Sequence, residues 1–203
     1  DVVYGQSARI NVQGHVLGPG YWQEWDLSYA VLRCNHCITQ PAAFLHRRVV
    51  ERVGWLDTTF VSKKDHELWL RIGLVGTIRH VPMVWAQERM CPGYLAHRGD
   101  LTAKACVALT QKFFTLPHVP LALKRQRRAA LGGAYLRGAQ YAIREGGHYD
   151  VGVRYILQGL CLCPFNVWPL LRYGTRTMLE TLFGIRWPKR HGETNTRKIA
   201  WTW

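Results

Sequence analysis

The sequence predicts an α/β domain followed by a helical extension, and three observations carry that prediction. Over residues 1–100, short apolar runs of strand length alternate with segments whose apolar residues recur at helical spacing. From residue 101 onward only the helical spacing is left. The charge changes at the same place. Residues 1–100 carry 11 Lys+Arg against 9 Asp+Glu, a net of +2, whereas residues 101–203 carry 16 against 4, a net of +12.

Residues 1–5 (DVVYG) read as a strand, and residues 9–18, alternating around Gln13-Gly14, as a hairpin-like excursion. Residues 18–30 are rich in Gly, Pro, Trp and Tyr and read as an irregular loop. A short strand follows over 42–45. Arg47–Val53 then reads as a helix stopped by Gly54. Asp65 opens the next helix, with Leu68, Ile72 and Val75 on one face and Gly76 at its end. Two strands, 77–81 and 84–88, are expected on either side of Pro82. The extension reads as helices over 101–115, 121–145, 149–163 and 167–183, with an aperiodic tail at 187–203. Residues 131–164 have the spacing of one degenerate tetratricopeptide-like hairpin, which cannot bury a solenoid core alone.

Composition narrows the function. At 48% hydrophobic and 12% aromatic residues the chain is globular. Residues 155–171 are uncharged, but at 17 residues, broken by Pro164 and Pro169, they are too short to span a bilayer. The six cysteines (34, 37, 91, 106, 161 and 163) show no disulfide framework, and no secretory leader is read, so free thiols in a reducing compartment are expected. Cys34 and Cys37 form a lone CxxC around His36. Without a second pair of similar spacing, a half-buried strand is the better reading than a zinc site.

Three segments stand in a telling order: QPAAFLHRRVVERVGWLD from Gln40, KDHELWLRIG from Lys64, and RMCPGYL from Arg89. They resemble the family 2 glycosyltransferases, whose patterns run QPAxFxRRxxxxxVGxxD, DxDLWLRL and RxHPGSLS. The resemblance covers roughly the first hundred residues. It implies an incomplete GT-A (nucleotide-diphospho-sugar transferase-like) sheet, with the acceptor-side half at 1–100, a helical extension at 101–186 and a tail at 187–203. In that family a VVYG strand follows a nucleotide-binding half bearing a DxD motif, and no DxD occurs in these 203 residues. The chain therefore reads as the carboxyl-terminal part of a longer enzyme, inactive by itself. That enzyme would be an inverting hexosyltransferase-like protein of glycan or cell-envelope polysaccharide synthesis, moving a sugar from a nucleotide-diphosphate donor to a hydroxyl on a glycan or lipid-linked acceptor.

The same resemblance assigns roles. Asp65 matches the family's general base, which takes the acceptor proton as the hydroxyl attacks the anomeric carbon. Asp is equally a preferred amino-terminal cap of a helix, and the two roles are compatible. Glu67 stands where the family has Asp, and either holds an acceptor hydroxyl or supplies favourable charge in a helix's first turn. Trp69 either stacks on a sugar or fills the core. Arg71 either reaches a phosphate or pairs with Asp57 or Glu67. Gln40, with Pro41, would form a wall of the acceptor pocket. Cys91 is the departure: it replaces a His that helps to hold a divalent cation, Mn²⁺ or Mg²⁺, and a thiol suits neither ion. His97 could substitute only by rearrangement.

The basic helices add an anionic membrane surface as an expected partner, and with it a cytoplasmic, peripheral location. No nucleic-acid-binding signature accompanies the charge. A second reading stays open: a basic helical module that binds an anionic surface, carrying a non-catalytic transferase remnant.

Overall fold

One central strand organises the sheet. β1 (Val2–Ile10) is almost continuously buried, including Gln6 and Ser7, as a strand covered on both faces should be. The computed structural model describes residues 1–20, 23–35, 38–91 and 98–164. The helix expected at 167–183, the tail at 187–203, and His36, Cys37 and His97 lie outside the described residues.

β2 (Val16–Pro19) and β3 (Ala43–Leu45) both pair antiparallel with β1. β3 lies beside Val2–Tyr4 and β2 beside Ala8–Ile10, so they divide one edge of the central strand between them. β4 (Ile78–Arg89) runs parallel to β1 along the other edge. The sheet is therefore mixed, and the chain is α/β in class. The expected excursion at 9–18 is a hairpin whose turn closes with His15 N–H donating to the Asn11 side chain (2.8 Å). The strand expected at 1–5 runs on to Ile10, because pairing with β4 on one edge and with β2 on the other continues past the polar Gln6-Ser7 pair.

Pro82 does not divide β4. Tyr4 stands opposite His80 and Gln6 opposite Val84, so the extra residues of β4 form a bulge around the proline. A bulge leaves residues out of the hydrogen-bond ladder, which is where a residue without an N–H is tolerated. Gly5 faces this bulge. A Cβ there would come within 2.7 Å of the Met83 carbonyl and 2.6 Å of the Trp85 ring, so the close approach requires glycine.

Three helices precede β4. α1 (Leu27–Leu32) occupies part of the stretch expected to be irregular, and is capped by the Asp26 carboxylate accepting from Tyr29 N–H (2.9 Å). α2 (Arg47–Val53) forms as expected and ends at Gly54, φ 86°. α3 (Lys64–Val75) begins one residue before Asp65, and its cap position is Lys63. Asp65 is thus not the amino-terminal cap.

Past β4 come α4 (Gly99–Phe113), α5 (Leu121–Arg125), α6 (Arg127–Arg144) and α7 (Tyr149–Leu162). The single helix expected over 121–145 is two helices. At Gln126 ψ turns to 10°, and its N–H donates to the Leu123 carbonyl in a tightened last turn. α6 and α7 form an antiparallel hairpin packed on α4.

The core crosses residue 100. Leu70 of α3 and Ala30, Val31 and Cys34 at α1 pack with Cys106, Leu109 and Phe113 of α4 and Ala130 and Ala134 of α6. On its other side α3 sends Leu68, Trp69 and Ile72 against Val2 and Tyr4 of the sheet and Val49 and Val50 of α2. α3 is therefore buried between the sheet and the helical layer. Gly133 of α6 lies so close to the Leu32 carbonyl that any side chain there would strike backbone.

Candidate active site

α3 positions the residues singled out from sequence. After Val75 the chain reverses through Gly76 and Thr77 into β4, so α3 runs back antiparallel to that strand. Gly76 is tied near the start of β1: a Cβ there would lie 3.2 Å from the Asp1 carboxylate, and Thr77 N–H donates to the same carboxylate (3.1 Å). The opposite end of α3, with Asp65, lies about 15 Å along the helix axis, toward the carboxyl ends of the parallel pair β1 and β4. Crevices beyond the carboxyl ends of parallel strands are where open α/β sheets bind ligands.

Asp65 is half-buried in the first turn of α3. Gln40 is exposed at the start of a short 3₁₀ turn, Gln40–Ala42, leading into β3. β3 is antiparallel to β1 with Ala43 opposite Tyr4, so Gln40 extends toward the same end of the sheet as Asp65.

Glu67, Trp69 and Arg71 form the scaffold beneath. Glu67 is only 3% exposed. Arg71 donates to it through Nε (2.8 and 3.0 Å) and a terminal nitrogen (2.8 Å), and Lys112 Nζ of α4 lies 2.6 Å from the same carboxylate. Arg71 also donates to the Val53, Gly54 (3.0 Å) and Trp55 (2.7 Å) carbonyls, closing the carboxyl end of α2. Lys112 continues the chain of charges to Asp57 (2.7 Å), whose carboxylate also accepts from Thr59 N–H (2.9 Å) and hydroxyl (2.6 Å). The hydrogen bond from Lys112, followed by those from Thr59, holds the Asp57 carboxyl well below the usual carboxylate range. Burial acts to lower the Lys112 ammonium, but its bonds to Asp57 and Glu67 outweigh that and raise it. Both oxygens of Glu67 are thus engaged by cations of the protein, and Arg71 pairs with Glu67, not Asp57.

Trp69 is 2% exposed and packs among Val2, Tyr4 and Ile72, so its ring is core and offers no face to a sugar. Of the two roles left open for each from sequence, the structural one is the one these contacts display for Glu67, Trp69 and Arg71. Of the residues expected at the site, Gln40 is exposed and Asp65 half-buried, whereas Glu67 and Trp69 are closed to solvent.

Cys91 is exposed, two residues past the end of β4. No group of three or more His, Cys, Asp or Glu side chains among the described residues is placed to hold a metal ion. A lone thiol does not fit Mn²⁺ or Mg²⁺, which take oxygen and imidazole donors. Cys34 lies in the turn after α1 with φ 45°, not in the strand read from its CxxC.

Sequence reading missed the Lys112 bridge altogether. Its only legible part was Glu67 four residues before Arg71, the spacing that places two side chains together on a helix. Compared with known proteins, the chain matches no family model and no curated protein.

Proposed function

We propose that this chain is the acceptor-side part of an inverting glycosyltransferase with a GT-A-like sheet, using a nucleotide-diphosphate sugar as donor and a hydroxyl of a glycan or lipid-linked molecule as acceptor. The observation that carries the reading is the placement of Asp65. Its half-exposed carboxylate stands in the first turn of α3, toward the carboxyl ends of β1 and β4, above a buried ion network that fixes the helix. In this reading Asp65 accepts the proton of the acceptor hydroxyl as that oxygen attacks the anomeric carbon. Gln40 lines the acceptor side, and Glu67, Arg71, Lys112 and Asp57 hold α3 in register. A divalent cation, Mn²⁺ or Mg²⁺, would neutralise the leaving diphosphate in the complete enzyme, and among the described residues no cluster of donors is placed to hold it.

A single displacement inverts the anomeric centre, and that is the test. The enzyme carrying this chain is expected to convert an α-linked nucleotide sugar into a β-linked product, read from the anomeric proton coupling. A product of retained configuration would overturn the reading.

The anionic membrane surface is the proposed site of work. α5 and α6 contain no acidic residue, and Lys124, Arg125, Arg127 and Arg128 are all exposed where they meet. Each basic side chain near an anionic surface contributes about 1 kcal/mol. Among the described residues no helix is long and apolar enough to cross a membrane, so the contact would be peripheral. Co-sedimentation with anionic vesicles should be strong at 0.1 M salt and largely lost at 1 M, as the screening length falls from about 10 to 3 Å. Equal binding to neutral vesicles would mean that the charge is not responsible.

A further inference from the structure

The outer face of α7 is apolar along the length of the helix. Tyr149, Val153 and Leu157 follow one another four residues apart and are 60%, 54% and 59% exposed. Cys161, four residues further on, is exposed as well. Four-residue spacing keeps side chains on one side of a helix, so these residues form a stripe of about 18 Å. The opposite face, with Gly152, Tyr155 and Gly159, is the one buried against α6 and α4. A single exposed apolar side chain is ordinary, whereas a contiguous strip marks a contact with a membrane or another macromolecule.

The charge beside the stripe selects a lipid surface. A Cβ on Gly132 would come 3.0 Å from the Gly159 carbonyl and 3.1 Å from Cys163, so the start of α6 lies beside the end of α7. Lys124, Arg125, Arg127 and Arg128, all exposed, therefore stand at the end toward which the stripe runs. Arg154, also exposed, adds a cation on α7 itself. The sequence has no acidic residue over 101–144 or over 151–164. The two nearest, Glu145 and Asp150, sit at the far end of the hairpin, where α6 turns into α7. An anionic bilayer supplies both halves of this pattern: phosphate for the cations and, just beneath it, acyl chain for the stripe.

We propose that α7 is the membrane-inserting element of this chain, with its Tyr149, Val153, Leu157 and Cys161 stripe in the interface of an anionic bilayer and the α5–α6 cations at the headgroups. The inference rests on the peripheral-membrane part of the proposed function and deepens it by naming the apolar residues that enter the bilayer. In this arrangement the axis of α7 lies in the plane of the membrane, the usual posture of an amphipathic helix at a lipid surface. Arg154, at the flank of the stripe, lays its aliphatic stem along the lipid and keeps its guanidinium among the phosphates. Tyr149 places its ring in the apolar zone and its hydroxyl at the headgroups. Charge then draws the protein to the surface over a screening length, and the stripe retains it there.

The test measures partition of the full chain onto mixed phosphatidylglycerol–phosphatidylcholine vesicles at two salt concentrations, for wild type, Val153→Gln/Leu157→Gln and Arg127→Gln/Arg128→Gln. Val153 and Leu157 are each about half exposed, so their double variant is expected to bind about tenfold more weakly at both salt levels and to keep the wild-type salt dependence. The arginine variant is expected to flatten that dependence. Gln is a good helix former, so the stripe variant should keep the wild-type urea midpoint and sedimentation behaviour. Undiminished vesicle binding by the stripe variant would remove α7 from the bilayer and leave the charge-driven reading in place. A lowered urea midpoint would mean that the stripe packs against the chain itself, and a changed oligomeric state that it faces a second copy; either result overturns the proposal. Absence of vesicle binding by the wild type would sink the peripheral-membrane reading and this inference together.

Discussion

Asp65→Asn is expected to lower turnover of the enzyme carrying this chain by about 10²–10⁴-fold, the usual loss for a missing general base. The substitution keeps the shape of the side chain and removes its basicity. Lys63, not Asp65, occupies the cap position of α3, so no capping hydrogen bond is at stake. Removing the charge costs the attraction between a carboxylate and the helix amino terminus, about 0.3–1 kcal/mol, while Asn retains the side chain's size and one oxygen. Donor affinity and the unfolding midpoint should therefore stay close to wild type while kcat collapses. An Asp65→Asn enzyme that keeps most of its turnover would remove Asp65 from the chemistry.

The parts of this fold that were legible in sequence are those where a local signal and the tertiary environment agree. α2 shows Gly54 at its end, and the glycine does take a positive φ. α3 shows an apolar face, and that face is buried. The failures have specific physical causes. Pro82 reads as a break, but a bulge opposite Gly5 absorbs it, and that pairing is decided by β1, far away in the chain. Gln126 is a good helix former, so nothing local announces the division of α5 from α6. α1 is only six residues long and lies in a stretch whose Gly, Trp and Tyr content reads as loop; Asp26 before Leu27 was the available signal.

Legibility of the candidate site follows the same rule. Asp65 stands out through its motif, and so does Gln40, since both lie in local sequence patterns. The αL conformation of Lys63 was hidden, because lysine is not a residue that favours it and the Tyr141 ring that its Nζ meets, 4.9 Å from the centroid, comes from a helix far along the chain. The fates of Trp69 and Glu67 were also hidden. Each is compatible with a binding surface until the partners from α4 and the sheet are known.

Glu67→Gln is expected to destabilise the fold by about 3–5 kcal/mol, the cost of removing one member of a buried ion network. Gln keeps the shape and one acceptor oxygen but removes the negative charge that Arg71 and Lys112 share. Arg71 retains its three carbonyl partners at the end of α2, and Lys112 retains Asp57, so the loss should fall at the α3–α4 contact. A urea midpoint gives the measurement, with Arg47→Gln as control: its partner Glu51 is 3.8 Å away and both side chains are largely exposed, a pair worth less than about 1 kcal/mol. The network also sets the response to pH. Asp57 has its carboxyl depressed in the folded state, so it stabilises above the ordinary carboxylate value near 3.9, and that stability drains away as the pH falls below it. Lys112 is raised in the folded state, so its contribution is complete below about pH 10.4 and is lost as the pH climbs past it. Asp57→Asn should flatten the acid limb and leave the alkaline loss from Glu67–Lys112 in place. If Glu67→Gln unfolds at the wild-type urea concentration, the network is not what joins the sheet half to the helices, and the apolar contacts of Leu70, Ala30, Val31 and Cys34 with α4 and α6 would have to hold that joint.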